Sequence, residues 1–185
     1  FTLRNVADTD RLKEHIDEGR PARAVLIGGG FIGLEMAENL VSRGIKTELV
    51  EMAEQVMTNL DRELAAVIHQ HLREQGVGLH LNRKVERFEA TAQGTKVMMD
   101  DGSTIQADLV VLSVGVRPDT RLAQEAGLVI GSTGAIQVDG QLRTSDPHIY
   151  AVGDAVEVKE RVAGHLVWLP LAGPANRQGR LVADA

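Results

Sequence analysis

The stretch VLIGGGFIGLEMAENL, residues 25–40, sets three consecutive glycines between an apolar run and a segment with helical periodicity. RAVLIG at 23–28 is a short continuous apolar strand. In FIGLEMAENLVSRG, residues Ile32, Met36 and Leu40 fall on one face with Leu34, Ala37 and Val41 beside them, and Gly44 ends the helix. Within this strand, turn and helix the spacing Gly28-x-Gly30-x-x-Gly33 is that of a dinucleotide-binding turn. Gly28 makes the tight bend, Gly30 lets a diphosphate approach the backbone, and Gly33 lets the helix pack against the sheet. Free N–H groups at the helix start then face the anion. The second strand, IKTELVEM at 45–52, ends in Glu51, whose carboxylate is placed to accept hydrogen bonds from the ribose hydroxyls of the adenosine half. Met52, Ala53 and Glu54 offer no cation for a 2′-phosphate, so NADH is expected to be preferred over NADPH. At about 1.5–3 kcal/mol for a hydrogen bond to a charged group, that preference amounts to roughly ten- to a hundredfold.

Working outward, DTDRLKEHIDEG at 8–19 reads as a short polar helix started by Thr9 or Asp10, ended at Gly19 and closed by Pro21. RELAAVIHQHLREQG at 62–76 is a helix with Leu64, Val67, Ile68 and Leu72 inward and Gly76 at its end, and VGLHL at 77–81 a third strand. KVERFEA, TKVMMD and STIQAD are short segments of alternating polarity, the last two joined around Asp101-Gly102. They are expected to form an antiparallel meander before the buried strand DLVVLSVG at 108–115. After a loop with Pro118 come an amphipathic piece at 121–127, a hairpin-like stretch GAIQVDGQLRTS at 134–145, a strand IYAVGD at 149–154, and a last helix over AGPANRQGRLVADA at 172–185. The class is α/β: a Rossmann-like FAD/NAD(P)-binding fold, with a mostly parallel sheet flanked by helices and an inserted antiparallel β-meander.

Composition sets the bounds. The 185 residues are 43% hydrophobic and 25% charged with net charge −6, which favours neither nucleic acid nor an anionic membrane as partner. A chain of this size buries roughly 70% of the surface it exposes unfolded, enough for a good core. The longest apolar runs are far short of the roughly 20 residues of a membrane helix, no signal segment opens the chain, and a cytoplasmic location is expected. With no cysteine, the chain carries no disulfide, thiolate or cysteine nucleophile. Six histidines include no pair at i, i+4, so isolated packing or surface roles are expected and no metal site.

GGGFIGLEMAE with Glu51, SVGVRPD at 113–119, TSDPHIYAVGDAVE at 144–157 and LPLAGPANRQGR at 169–180 together resemble the pyridine nucleotide-disulfide oxidoreductases over essentially the whole chain. With ELVEMAEQVMTNLD at 48–61, the resemblance is to their branch of NADH oxidases, coenzyme A-disulfide reductases and persulfide reductases. These are flavoproteins with one Rossmann-like domain for FAD and another for NAD(P)H. The resemblance implies that Phe31 gates the nicotinamide pocket, Ile32 packs on that ring, Glu35 hydrogen-bonds near the carboxamide and Gly115 passes the nicotinamide half. It implies too that Gly153 and Asp154 lie at the ribityl region of FAD, although Gly-Asp is also common in plain turns. The helix entered through Leu171 and Ala172 would face the flavin pyrimidine edge, where negative charge builds on reduction.

On this view residues 1–20 are a lead-in segment with a short helix, 21–120 the NAD(H)-binding domain with its meander, and 121–185 the returning portion of the FAD domain. The first FAD motif, the redox cysteine and a C-terminal dimerisation domain have no counterpart, so the chain is expected to be an internal piece of a homodimeric enzyme, inactive alone. It would position NADH for hydride transfer to flavin, with electrons passing to a thiol, disulfide or oxygen site elsewhere. Alternatives are a free-standing nucleotide-binding or regulatory module, a piece of a ferredoxin or rubredoxin reductase, and last a simple single-Rossmann dehydrogenase.

Overall fold

The computed structural model describes residues 1–184 and divides into two compact units, Phe1–Gly115 and a second from Val116 onward. In the first, α1 (Val6–Gly19) is followed by β1 (Arg23–Ile27), α2 (Phe31–Ser42), β2 (Lys46–Val50), α3 (Arg62–Glu74), β3 (Gly78–His80), β4 (Val85–Thr91), β5 (Gly94–Met99), β6 (Thr104–Ala107) and β7 (Leu109–Leu112). Four strands make a parallel sheet in the order β3-β2-β1-β7, and β4-β5-β6 an antiparallel one. Because side chains alternate along a strand, the central sheet has two apolar faces. Leu26, Leu49, Leu109 and Val111 join Leu12, Ala37, Leu40 and Leu72 of the three helices. Val25, Ile27 and Val50 meet Val97, Met99 and Ala107 of the meander. Helices thus cover one face and the antiparallel sheet the other. Leu26, Leu40, Leu49 and Leu109 are each 1% exposed or less, a burial that stabilises by about 1.5–3 kcal/mol per side chain.

Two local expectations in the first unit are corrected. The first helix starts before Thr9 and Asp10: Asn5 caps it, its Oδ1 accepting from the Asp8 N–H at 2.9 Å while Asp8 Oδ2 accepts from the Arg4 N–H at 3.0 Å. Two donors that no helical turn could satisfy are met reciprocally, which outcompetes a cap at Thr9. In α3 the inward face runs through Ala65, Ile68 and Leu72. Leu64 and Val67 are 57% and 66% exposed, because the 3.6-residue helical period turns both away from the face through Ala65, Ile68 and Leu72. The expected end of the last helix at Ala185 lies outside the described residues.

The second unit holds α4 (Arg121–Glu125), β8 (Ile136–Gln137), a 3-10 turn at Gly153–Ala155, β9 (Val156–Lys159), β10 (Leu166–Trp168) and α5 (Ala172–Ala183). β8 pairs in parallel with β9, which pairs antiparallel with β10. GAIQVDGQLRTS is therefore no ladder: it makes a turn, with Leu142 N–H to Asp139 O at 3.0 Å, and only β8 is a strand. IYAVGD is not a strand either. Only Tyr150 bridges, to Arg143, and Gly153 at φ 74 bends the chain into the 3-10 turn, so that the ladder begins at Val156. Inside this unit Glu157 is fully buried, accepting from the Thr133 N–H at 2.8 Å and the Ser132 hydroxyl at 3.4 Å. Burial raises its pKa, but the hydrogen bonds from Thr133 and Ser132 outweigh it and hold the carboxyl below the ordinary glutamate value. A Cβ at Gly131 would lie 1.8 Å from Glu157 Oε1, so the carboxylate occupies the space a side chain there would need.

Candidate functional site

The glycine turn is held from three sides. The Gly28 N–H donates to Val50 O at 2.9 Å, and its φ of 105 with a hypothetical Cβ only 2.3 Å from Ser113 O excludes a side chain. Gly33 packs so closely that a Cβ would stand 2.0 Å from Gly28 O. Between them Gly29 donates its N–H to Glu51 Oε2 at 2.6 Å, and its carbonyl accepts from the Met57 N–H at 2.9 Å. Val56, wholly buried, lies 2.8 Å from where a Gly29 Cβ would be. Gly30 is different. A Cβ there meets nothing within 4 Å, and as N-cap of α2 it leaves the helix without a side-chain cap. The first-turn N–H groups therefore open onto free space, where an anion is favoured.

That space belongs to a cleft of about 360 Å³ lined by Gly28–Gly30, by Val50, Glu51 and Met52, and by Ser113, Val114 and Gly115. Glu51 stands at its edge with both carboxylate oxygens engaged, since Oε1 accepts from the Ala53 N–H at 2.7 Å. Gly115, at φ 94, has open space where a Cβ would be. Phe31 begins α2 and is 52% exposed, with Ile32 half-buried next to it. Glu35, one turn on, is exposed and lines a groove between α2 and α3 with Glu38, Ile68 and His71, separate from the glycine cleft.

Residues that sequence reasoning missed stand in the same place. Ser113, buried, donates its hydroxyl toward Ile27 O at 2.9 Å and Gly28 O at 3.0 Å, tying the end of β7 to the turn. Its only signal was its position at the head of SVGVRPD. His69 of α3 accepts the Val56 N–H at 3.1 Å through Nε2, and so helps hold the segment that covers Gly29. Burial, with Arg73 nearby, lowers its pKa and keeps the ring neutral, as an acceptor must be. Arg83 and Lys84 also line the cleft. They come from the connection between β3 and β4, far in sequence from Glu51.

In the second unit the N–H of Gly153 donates to Gln178 Oε1 of α5 at 2.7 Å, which brings the 3-10 turn to that helix. Asp154 is exposed at the turn, and the Trp168 indole donates to its carbonyl at 2.7 Å. Leu171 is the N-cap of α5 and makes no side-chain cap, and Ala172 is its exposed first residue. Like α2, α5 presents open N–H groups. Among the described residues no cluster of three or more His, Asp and Glu could hold a metal, and no helix is long and apolar enough to cross a membrane.

A glycine turn fixed in this way, with an acid at the end of the neighbouring strand, matches the model of the pyridine nucleotide-disulphide oxidoreductase family over residues 1–179. The chain belongs to that family. It is 37% identical over 180 residues, 97% of its length, to a CoA-dependent NAD(P)H sulfur oxidoreductase of Pyrococcus abyssi. It superposes on the reduced CoADR-RHD protein of Bacillus anthracis with TM-score 0.93 at 52% identity, covering 100% of this chain and 33% of that one. On the water-forming NADH oxidase of Lactobacillus brevis bound to NADH, the TM-score is 0.90 at 34% identity, over 99% of this chain and 40% of the other. The chain spans about 40% of the length of the P. abyssi relative.

Proposed function

We propose that this chain is the NAD(H)-binding portion of an FAD-dependent pyridine nucleotide-disulfide oxidoreductase. The observation that carries the proposal is the open space above Gly30 at the uncapped start of α2, in one cleft with Glu51. The turn of Gly28, Gly30 and Gly33 would take the diphosphate, and a lone pair remaining on each Glu51 oxygen would take the ribose hydroxyls. Gly115, Phe31 and Ile32 would serve the nicotinamide half, and Glu35, which lines the neighbouring α2–α3 groove one turn along from Phe31, would reach its carboxamide from that side. In the second unit Gly153, Asp154, Leu171 and Ala172 would serve FAD. Two features there fit that group: the exposed Asp154 carboxylate forms no ion pair among the described residues, and α5 has an uncapped start.

When bound, NADH would supply hydride chemistry and FAD its electron-accepting ring, with the onward acceptor a thiol, disulfide or oxygen site. With no cysteine here, a thiol would have to lie outside these residues. The chain's own contribution is position. The assignment of 21–120 to the NAD(H) domain and 121–185 to the returning FAD portion belongs to the same proposal, as do a cytoplasmic parent and its homodimerisation through a domain elsewhere. Calorimetric titration with NADH tests it: saturable binding at micromolar to millimolar coenzyme is expected, and its abolition by Gly30→Val. No heat at millimolar NADH would end the proposal.

A further inference from the structure

The segment that covers Gly29 is held against its own backbone preference. Met57, whose N–H donates to Gly29 O at 2.9 Å, stands at φ 48, in the left-handed region, where a residue with a side chain persists only if its surroundings fix it. Within the segment, buried Gln55 donates its side-chain amide to Leu60 O at 2.8 Å and to Met57 O at 3.4 Å, and the Leu60 N–H closes on Met57 O at 2.8 Å. The remaining support comes from α3. Val56, whose side chain fills the place a Gly29 side chain would take, donates its N–H to His69 Nε2 at 3.1 Å. A protonated imidazole has donors on both nitrogens and accepts nothing, so this bond exists only with the neutral ring. Arg73, one turn along α3, is the charge that bears on the ring. Of the acids on the elements around it, Glu51 is engaged by the Gly29 and Ala53 N–H groups, Glu54 and Asp61 of the facing segment are exposed, and Glu35 and Glu38 of α2 line the groove beside His71. None of them pairs with His69 among the described residues.

We propose that His69 is a positioning residue for the coenzyme: its Nε2 holds Val56 and Met57 in the conformation that keeps Gly29 and the diphosphate turn in place, so that protonating the ring and binding the coenzyme oppose each other. This rests on the nucleotide reading above and adds control by pH to that site. His69 does not line the cleft and acts only through the segment. Once protonated, the ring turns a donor toward the Val56 N–H. The segment then loses its support from α3, Met57 relaxes from φ 48, and its N–H leaves Gly29 O. Apparent affinity falls with the fraction of molecules that keep the turn. The coupling is reciprocal, so a bound coenzyme expels the proton from those rings that carry one. Affinity is therefore full above the ordinary histidine pKa of about 6.5 and declines as pH falls through the ring's own, lower value.

The test is calorimetric titration with ADP-ribose, which carries the diphosphate and both riboses and does not titrate between about pH 8 and about pH 5. Each protein is measured where circular dichroism shows it folded. The wild type is expected to bind about three- to tenfold more weakly at the acid end. At about pH 6 it should also release protons on binding, read from the heats in two buffers of different ionisation enthalpy. His69→Gln, whose side-chain oxygen reaches the same place and accepts without titrating, should keep the affinity of about pH 8 within about twofold and show neither effect. His69→Leu leaves the Val56 N–H unpaired and should bind about three- to tenfold more weakly at every pH. Arg73→Gln should move the wild-type decline to higher pH. A wild-type affinity independent of pH overturns the proposal, as does a decline that His69→Gln retains, or His69→Leu binding like the wild type at about pH 8. If the wild type binds neither ADP-ribose nor NADH at any pH, the nucleotide reading itself fails, and this proposal with it.

Discussion

Replacing Gly28 by alanine would place a methyl 2.3 Å from Ser113 O, 2.8 Å from Ser113 C and 3.2 Å from Val114 N, all main-chain atoms, at a residue whose φ is 105. None of these neighbours can rotate away. Holding an L side chain at that φ costs about 1–3 kcal/mol. Forcing β7 away from the turn is overpacking, worth about another 1–3 kcal/mol. At about 4 °C per kcal/mol for a unit of this size, Tm should fall by roughly 8–24 °C. Gly30→Ala should behave in the opposite way. Its φ of −80 and ψ of −173 suit alanine and its Cβ touches nothing, so the stiffer unfolded chain offsets a poorer helix cap and stability should stay within about 1 kcal/mol. The methyl would instead stand where a diphosphate approaches the N–H groups, and NADH affinity should drop at least about tenfold. Thermal melts followed by circular dichroism, paired with NADH titrations, separate the two variants. If Gly28→Ala melts with the wild type, or Gly30→Ala binds NADH undiminished, the division of roles between these glycines is refuted.

Glu51→Ala should weaken NADH by roughly ten- to a hundredfold in the same titration, since it removes the ribose acceptor and leaves the Gly29 N–H without its carboxylate. His69 has a lowered pKa, so the folded chain favours the neutral ring: its contribution is full above the unfolded value of about 6.5 and is lost as pH falls below it. Melts from pH 7.5 to 5.5 should therefore show a decline that His69→Leu flattens. Asp108, whose pKa is lowered first by the Arg23 side chain and then by the Arg23 and Ala22 N–H groups, acts in the acid range. Its contribution stands above the unfolded carboxylate pKa and disappears as pH falls through the folded one. Asp108→Asn should accordingly cost about 1–2 kcal/mol in neutral denaturant melts, a gap that closes toward pH 3.

The strand, glycine turn and helix at 23–42 were legible because their determinants are local: an apolar run, a fixed glycine spacing and a helical period. The meander was legible for the same reason, through alternation and the Asp101-Gly102 turn. What closes the site was not. Ser113 reaches the Gly28 carbonyl across 85 residues, and Arg83 and Lys84 arrive beside Glu51 only because β3 lies next to β2 in the sheet. Local chemistry also misleads where two solutions compete. Asn5 and Thr9 are both good caps, and the reciprocal bonds between Asn5, Asp8 and Arg4 decide for the first. IYAVGD has strand composition, yet within it only Tyr150 bridges, and the Gly153 bend puts the ladder with β8 and β10 at Val156–Lys159.

Gly29 has its N–H on Glu51, its carbonyl on Met57 and its missing side chain filled by Val56. The bend that would receive a coenzyme is thus locked before any coenzyme arrives. Preorganisation of this kind removes the ordering entropy that a floppy phosphate loop would lose on capture. Encounter then needs no rearrangement of the receptor, so association should run near the rate set by diffusion and orientation, and differences in affinity among variants of the cleft should reside in how fast the nucleotide departs.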